Sequence, residues 1–219
     1  DFVTATATGN KTNETSGVAL TFDHQLTQIE VKARNANEAY VYKIKGVRIA
    51  QPVSKADFDF TTKQWTPSSE KAVYQVQYSN EITLNTYGQC IMETEGDNAM
   101  LIPQQLVAWD ANDKKNTAKG AYLSVYAQVE TAEGARVYPN VDGMDYAWLA
   151  VPVDTKWEAG YKYVYTLDFT NGAGYSDPLD GPETGGTVLG GAIKFTMDVN
   201  PWGEKATMEA TENMMIGKW

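Results

Sequence analysis

The sequence predicts an all-β protein, a two-layer antiparallel β-sandwich. Three observations carry that prediction. Apolar residues recur with a period of two through most of the chain, so each run buries one face and wets the other. The residue choice favours pleated, half-buried surfaces, with Val, Ile, Thr and 13 Tyr. No apolar stretch at helical spacing lasts longer than a turn or two. Runs of this kind, about ten of them separated by polar turns, pack as two facing sheets.

The first 17 residues are polar and Thr-rich, and read as a lead-in arm or linker remnant. The sandwich itself is expected over residues 18–204. Its first strand falls at Val18–Phe22. Ile29, Val31 and Ala33 then alternate with Glu30 and Lys32. Tyr40–Ile49 follows, and Gln51–Ser69, with Pro52, Pro67 and a Ser/Thr/Lys run, reads as a loop. Tyr74, Val76 and Tyr78 make the next strand, followed by Ile82–Leu84 and Met100–Ile102. Asp110–Gly120 is polar and loop-like. Leu123, Val125, Ala127 and Val129 alternate with Tyr122, Ser124, Tyr126 and Gln128, and Tyr146–Val153 reads as the strand after them. Tyr161 to Phe169 is the longest clean alternation in the chain. Asn171–Gly191, rich in Gly, Pro and Asp, reads as a long exposed loop before the strand of Ile193, Phe195, Met197 and Val199. The tail, residues 205–219, alternates again at Ala206, Met208 and Ala210 and ends in Met214, Met215, Ile216 and Trp219. It reads either as a last core strand or as a strand given to a neighbour.

Composition narrows the functions. With 28 Asp+Glu against 18 Lys+Arg the net charge is −10, which repels nucleic acid and anionic membranes. No run approaches the roughly 18 apolar residues of a membrane helix. The chain begins at Asp1 without Met and reads as a processed or trimmed product, with any export signal or lipid anchor upstream. The two sequons at Asn10 and Asn13 read as chance in a Thr/Asn-rich segment. Cys90 is the one cysteine, so no intrachain disulfide forms, and it reads as a small buried hydrophobe.

Chemistry is sparse. A Ser-His-Asp or Cys-His device would have to be built on His24, the one histidine, which reads as a strand-end structural residue. Asp177, Asp180 and Glu183 offer oxygens for calcium, but without the spacing of a calcium loop they read as a solvated turn; Asp142 and Asp145 read more weakly still. Gly185–Gly191 lacks the Lys and the helix of a phosphate cradle. The sequence therefore predicts no enzyme, no cofactor and no metal. A glycoside hydrolase built on a pair of acids is a remote alternative. Of six Trp, Trp65 and Trp109 stand beside predicted loops and are the candidates for stacking on a ligand such as a sugar.

Four stretches in order resemble the fimbrillin-like family, the type V pilins of anaerobic Gram-negative bacteria. They are Val18-Ala-Leu-Thr-Phe-Asp-His24-Gln-Leu26 with Ile29-Glu-Val31-Lys; Met100-Leu-Ile-Pro103-Gln104; Trp157-Glu-Ala-Gly160-Tyr-Lys-Tyr163; and Ile193-Lys-Phe195 leading to Val199-Asn-Pro-Trp202. The resemblance covers residues 18 to 202, mainly the family's second, C-terminal domain. It implies a transthyretin-like Greek-key sandwich, export as a lipoprotein, and a surface fimbria whose subunits join by strand donation. Partners would be other pilin subunits or the chain itself, and host or bacterial glycans or proteins. Ala206, Met208, Ala210, Met214 and Ile216 would then be the donor strand, and His24 a structural residue. A carbohydrate-binding adhesin that does not polymerise is the alternative.

Overall fold

The computed structural model describes residues 1–10, 17–94, 97–112, 119–182 and 185–202, and the backbone of 207–210. Strands form wherever the alternation is cleanest, and no helix occurs among the described residues. In chain order they are β1 (Val3–Thr4), β2 (Val18–Thr21), β3 (Asp23–His24), β4 (Thr27–Arg34), β5 (Tyr40–Val53), β6 (Ala56–Asp59), β7 (Gln64–Pro67), β8 (Lys71–Thr83) and β9 (Gln89–Cys90). Then come β10 (Ala99–Leu101), β11 (Tyr122–Thr131), β12 (Arg136–Tyr138), β13 (Ala147–Pro152), β14 (Tyr161–Asp168), β15 (Tyr175–Ser176), β16 (Lys194–Pro201) and β17 (Thr207–Ala210).

Two sheets make the sandwich. The first runs β10-β4-β14-β16, with β9 also on β4; the second runs β15-β13-β11-β5-β8, with β12 also on β11. The alternating residues supply the core between them. Ile29, Val31 and Ala33 of β4 and Tyr165 and Leu167 of β14 meet Leu123, Val125, Ala127 and Val129 of β11, all fully buried. Burying each large aliphatic side chain stabilises by about 1.5–3 kcal/mol, so these rows hold the layers together.

The sheets are not purely antiparallel. β14 lies parallel to β4, with Tyr163 beside Ile29 and Tyr165 beside Val31. A parallel pair needs only two strands with matching inward rows and a connection long enough to cross over, and residues 35–160 supply that length. β5 and β8 are kinked against each other at Ile44/Gly46. Gly46 is required there, because a Cβ would sit 2.7 Å from the Val76 carbonyl.

Three segments read as arm or loop are more ordered than their composition suggests. Residues 51–69 complete β5 and then form the β6–β7 hairpin, with Phe58 opposite Trp65. The first residues pair back, β1 on β3, with Val3 opposite His24. The Asn171–Gly191 segment is packed along part of its length rather than exposed throughout. Ala173 and Asp177 are fully buried, and Tyr175 and Ser176 add β15 to the edge of the second sheet beside β13. Gly and Asp mark turns in sequence, but they do not reveal that a turn is packed over a sheet.

The tail strand β17 pairs antiparallel with β2, Met208 opposite Leu20, as a ribbon separate from both sandwich sheets. Ala206, Met214 and Ile216 lie outside the described residues, as do Asn13 and Glu183.

Candidate functional site

The four signature stretches, far apart in sequence, meet at one end of the sandwich. The His24 ring stacks on Trp202, with centroids 4.3 Å apart and planes 18° from parallel. The Trp202 amide donates to the Gly160 carbonyl at 2.7 Å, and the Gly160 amide donates to the Leu26 carbonyl at 2.9 Å. Gly160 has φ +76°, a left-handed turn that a side chain would strain. Trp157 is buried, and its indole N–H donates to the Tyr165 hydroxyl at 2.9 Å, while the Tyr163 hydroxyl accepts from the Glu158 amide. Gln104 exchanges backbone hydrogen bonds with Trp157, and its side-chain amide bonds both the N–H and the C=O of Val53. Each signature residue thus closes a backbone gap between strands that end here.

An aromatic cluster sits on the same end. Phe2, Phe58 and Trp65 pack ring to ring, Phe58 4.8 Å from Trp65 and Phe2 5.7 Å from it. Phe60, at 69% exposure, extends the cluster into solvent 5.2 Å from Phe58. Alternation within Asp57-Phe58-Asp59-Phe60, followed by a turn and Trp65, is the hairpin signal that a Pro-containing segment concealed. Trp65 is half-buried, and its indole N–H donates to the Gln25 carbonyl at 2.8 Å. One flank of it borders an open cleft of about 610 Å³ rimmed by Ser54, Lys55, Asp57 and Ser68, with Ile102 on the opposite wall.

Trp109 has a different fate. The expectation that it is exposed is overturned: it is 3% exposed. It packs over the outer face of the second sheet against Tyr122, Tyr175, Ala50 and Ala150. Among the described residues its buried indole N–H has no acceptor. A polar loop leads to it, but a large apolar ring is worth most where it covers sheet.

His24 Nδ1 meets the Asp1 carboxylate at 2.6 Å, beside the stacked Trp202. Cys90 is buried, with its Sγ 3.2 Å from the Thr94 carbonyl.

The turn read as solvated is so only in part: Asp180 keeps 55% of its side chain in water, but Asp177 is fully buried and accepts from Ser124 Oγ at 2.5 Å, Arg48 Nη1 at 3.1 Å, the Tyr122 hydroxyl at 3.2 Å and the Leu179 amide at 2.8 Å. Asp180 takes the other arm of Arg48 at 2.5 Å. The guanidinium lies over the Trp148 ring at 4.1 Å and also bonds Gln75. Burial, reinforced by the charge of Asp177, pushes the Tyr122 hydroxyl far above its ordinary value, so it stays a donor. Among the described residues no three His, Cys, Asp or Glu side chains are grouped to hold a metal ion.

The fold defines a two-sheet β-protein whose sheets pack face to face over an aliphatic and aromatic core. Residues 1–202 match the fimbrillin-like family, and the chain belongs to it. Membership supports a fimbrial, adhesive role at the cell surface. No curated protein matches the chain. Solved structures similar to it are proposed cell adhesion proteins. The one from Parabacteroides distasonis has 10% identity, a TM-score of 0.47, and coverage of 83% of this chain and 53% of that one. That from Bacteroides uniformis has 14% identity, a TM-score of 0.37, and coverage of 92% and 66%. That from Bacteroides ovatus has 13% identity, a TM-score of 0.36, and coverage of 93% and 62%. The chain thus spans about half to two-thirds of the length of these structures.

Proposed function

We propose that the chain is a structural subunit or adhesive module of a fimbria on a Gram-negative cell surface, exported as a lipoprotein and assembled by strand donation. The observation that carries this reading, beside family membership, is the position of β17. Among the described residues it pairs with β2 alone, over four residues, outside both sheets of the sandwich. A strand held by so short a ladder exchanges partners at low cost, and an open sheet edge accepts it through backbone bonds and side-chain slots. In this reading the acceptor is the groove between β8 and β10, floored by Val47, Ile49, Val76, Met92 and Ala99, with a volume of about 180 Å³. The residues from 18 to 204 act as the folded body, and 205–219 as the donor. Removing residues 205–219 abolishes polymerisation and leaves a folded monomer. A truncated chain that unfolds would show that the tail is its own core strand and end the reading.

The cleft beside Trp65 favours a second reading, a glycan-binding adhesin. One aromatic wall and a rim of hydroxyl, ammonium and carboxylate groups suit the two faces of a sugar ring. Trp109, being buried, drops out of it. A glycan array tests it: a hit lost on Trp65→Ala supports the cleft, and an array with no hit removes this reading.

A further inference from the structure

β16 ends the first sheet, and among the described residues no strand pairs with its outer edge. Its core face carries Phe195 and Met197, half-buried against the sandwich, and Val199, 45% exposed. Its outer face carries Lys194, Thr196 and Asp198, all exposed. Neither Lys194 nor Asp198 joins an ion pair among the described residues, since the Asp168 carboxylate opposite Lys194 is taken by Arg34 at 2.6 Å. Nor do the two reach each other, being four residues and about 13 Å apart along the strand.

The order Lys194-Phe195-Thr196-Met197-Asp198 is self-complementary under an antiparallel two-fold centred on Thr196. Such an axis sets Lys194 opposite Asp198 of a second copy, twice, and Phe195 opposite Met197, twice, with Thr196 facing itself. We infer that β16 is a homotypic docking edge, through which two copies of this chain join their first sheets into one continuous sheet. Edge strands normally carry charge to repel another edge. Here the same charges attract in one register only, because a shift along the strand breaks both ion pairs and a one-residue slip also reverses the faces. The other long edge, β8, is less regular: its ladder with β5 is broken by two irregularities, and it lines the groove assigned above to a donor strand.

The inference does not rest on strand donation, and one experiment separates the two. Sedimentation velocity of the full chain shows a reversible dimer. Lys194→Asp and Asp198→Lys each weaken it by roughly tenfold, because each puts like charges together at two places. The double variant K194D/D198K restores it. Thr196→Cys forms a covalent dimer under mild oxidation, whereas Lys162→Cys, one strand inward, does not. A wild-type chain that stays monomeric, or a dimer indifferent to the single reversals or not restored by the swap, overturns the inference. Self-association lost on removing residues 205–219 but untouched by the reversals assigns it to the tail and overturns it equally.

Discussion

The two outer faces of the sandwich each carry an ion-pair cluster, and they are built on opposite principles. On the first sheet Glu30 is held between Lys32, at 3.3 Å, and Lys162, and Arg34 pairs with Asp168. Glu30 itself keeps only 5% of its side-chain surface in water, but its lysine partners keep more than a quarter of theirs, so the cluster is hydrated from the cationic side. On the second sheet the Asn171–Gly191 segment closes over Arg48 and Asp177, whose side chains keep 4% and 0%. Partly hydrated pairs stabilise little, because water and neighbouring groups readily replace either partner. A dry pair is costly to bury and far costlier to break, because the surviving partner stays desolvated. The second cluster therefore works as a fastener: it fixes a long glycine-rich segment to a sheet at one buried point.

The largest effect expected from breaking this contrast is on the dry side. Asp177→Ala leaves Ser124 and Tyr122 without their acceptor and Arg48 with only Asp180 and Gln75, and should cost about 3–5 kcal/mol in urea unfolding. Arg48→Met should cost a similar amount, and the double variant R48M/D177L less than the sum of the two, because it leaves no buried charge behind. If Asp177→Ala changes stability by less than the surface substitutions do, the fastener account is wrong.

Glu30→Gln is the matching test on the wet side and should cost only about 0.5–1 kcal/mol. Raising NaCl to about 1 M should erase most of that cost and leave the Asp177→Ala loss in place, since salt screens hydrated pairs and hardly touches buried ones.

The smallest effect is a pH dependence confined to the first sheet. Burial acts to raise the Glu30 carboxyl, but hydrogen bonds and charge from Lys162 and Lys32 outweigh it and hold it below its ordinary value of 4.5. Burial likewise opposes the lowering of Asp168, which Thr170 and Arg34 impose below 3.8. A carboxyl lowered by folding binds fewer protons folded than unfolded, so its contribution is complete above the ordinary value and is lost as pH falls through the depressed one. Stability should therefore be level in this respect above about pH 5 and decline below it, and Glu30→Gln should flatten part of that decline.

Much of the fold was legible because strand burial is a local, period-two property. Tyr163–Phe169 and Leu123–Val129 each fill one core row as their alternation required, while Tyr161, at the start of its run, stays exposed. The signature residues were legible as a set, but their roles were not. That His24 stacks on Trp202, and that Gln104 clamps Val53, depends on strands distant in sequence ending at the same place. The two tryptophans make the same point. Both flank polar loops, yet Trp65 borders an open cleft and Trp109 is buried against the outer face of the second sheet. Loop composition records which turns a segment makes, not what it lies on.

By itself, then, the sequence determined the class of structure, most of the core rows and the family. Those follow from residue chemistry and short-range periodicity. Only the tertiary structure decided that β14 runs parallel to β4, that Asp177 is a buried anchor for Arg48, and which edges stay open. Those depend on contacts between residues more than a hundred positions apart, and no local pattern encodes which distant partner a surface will meet.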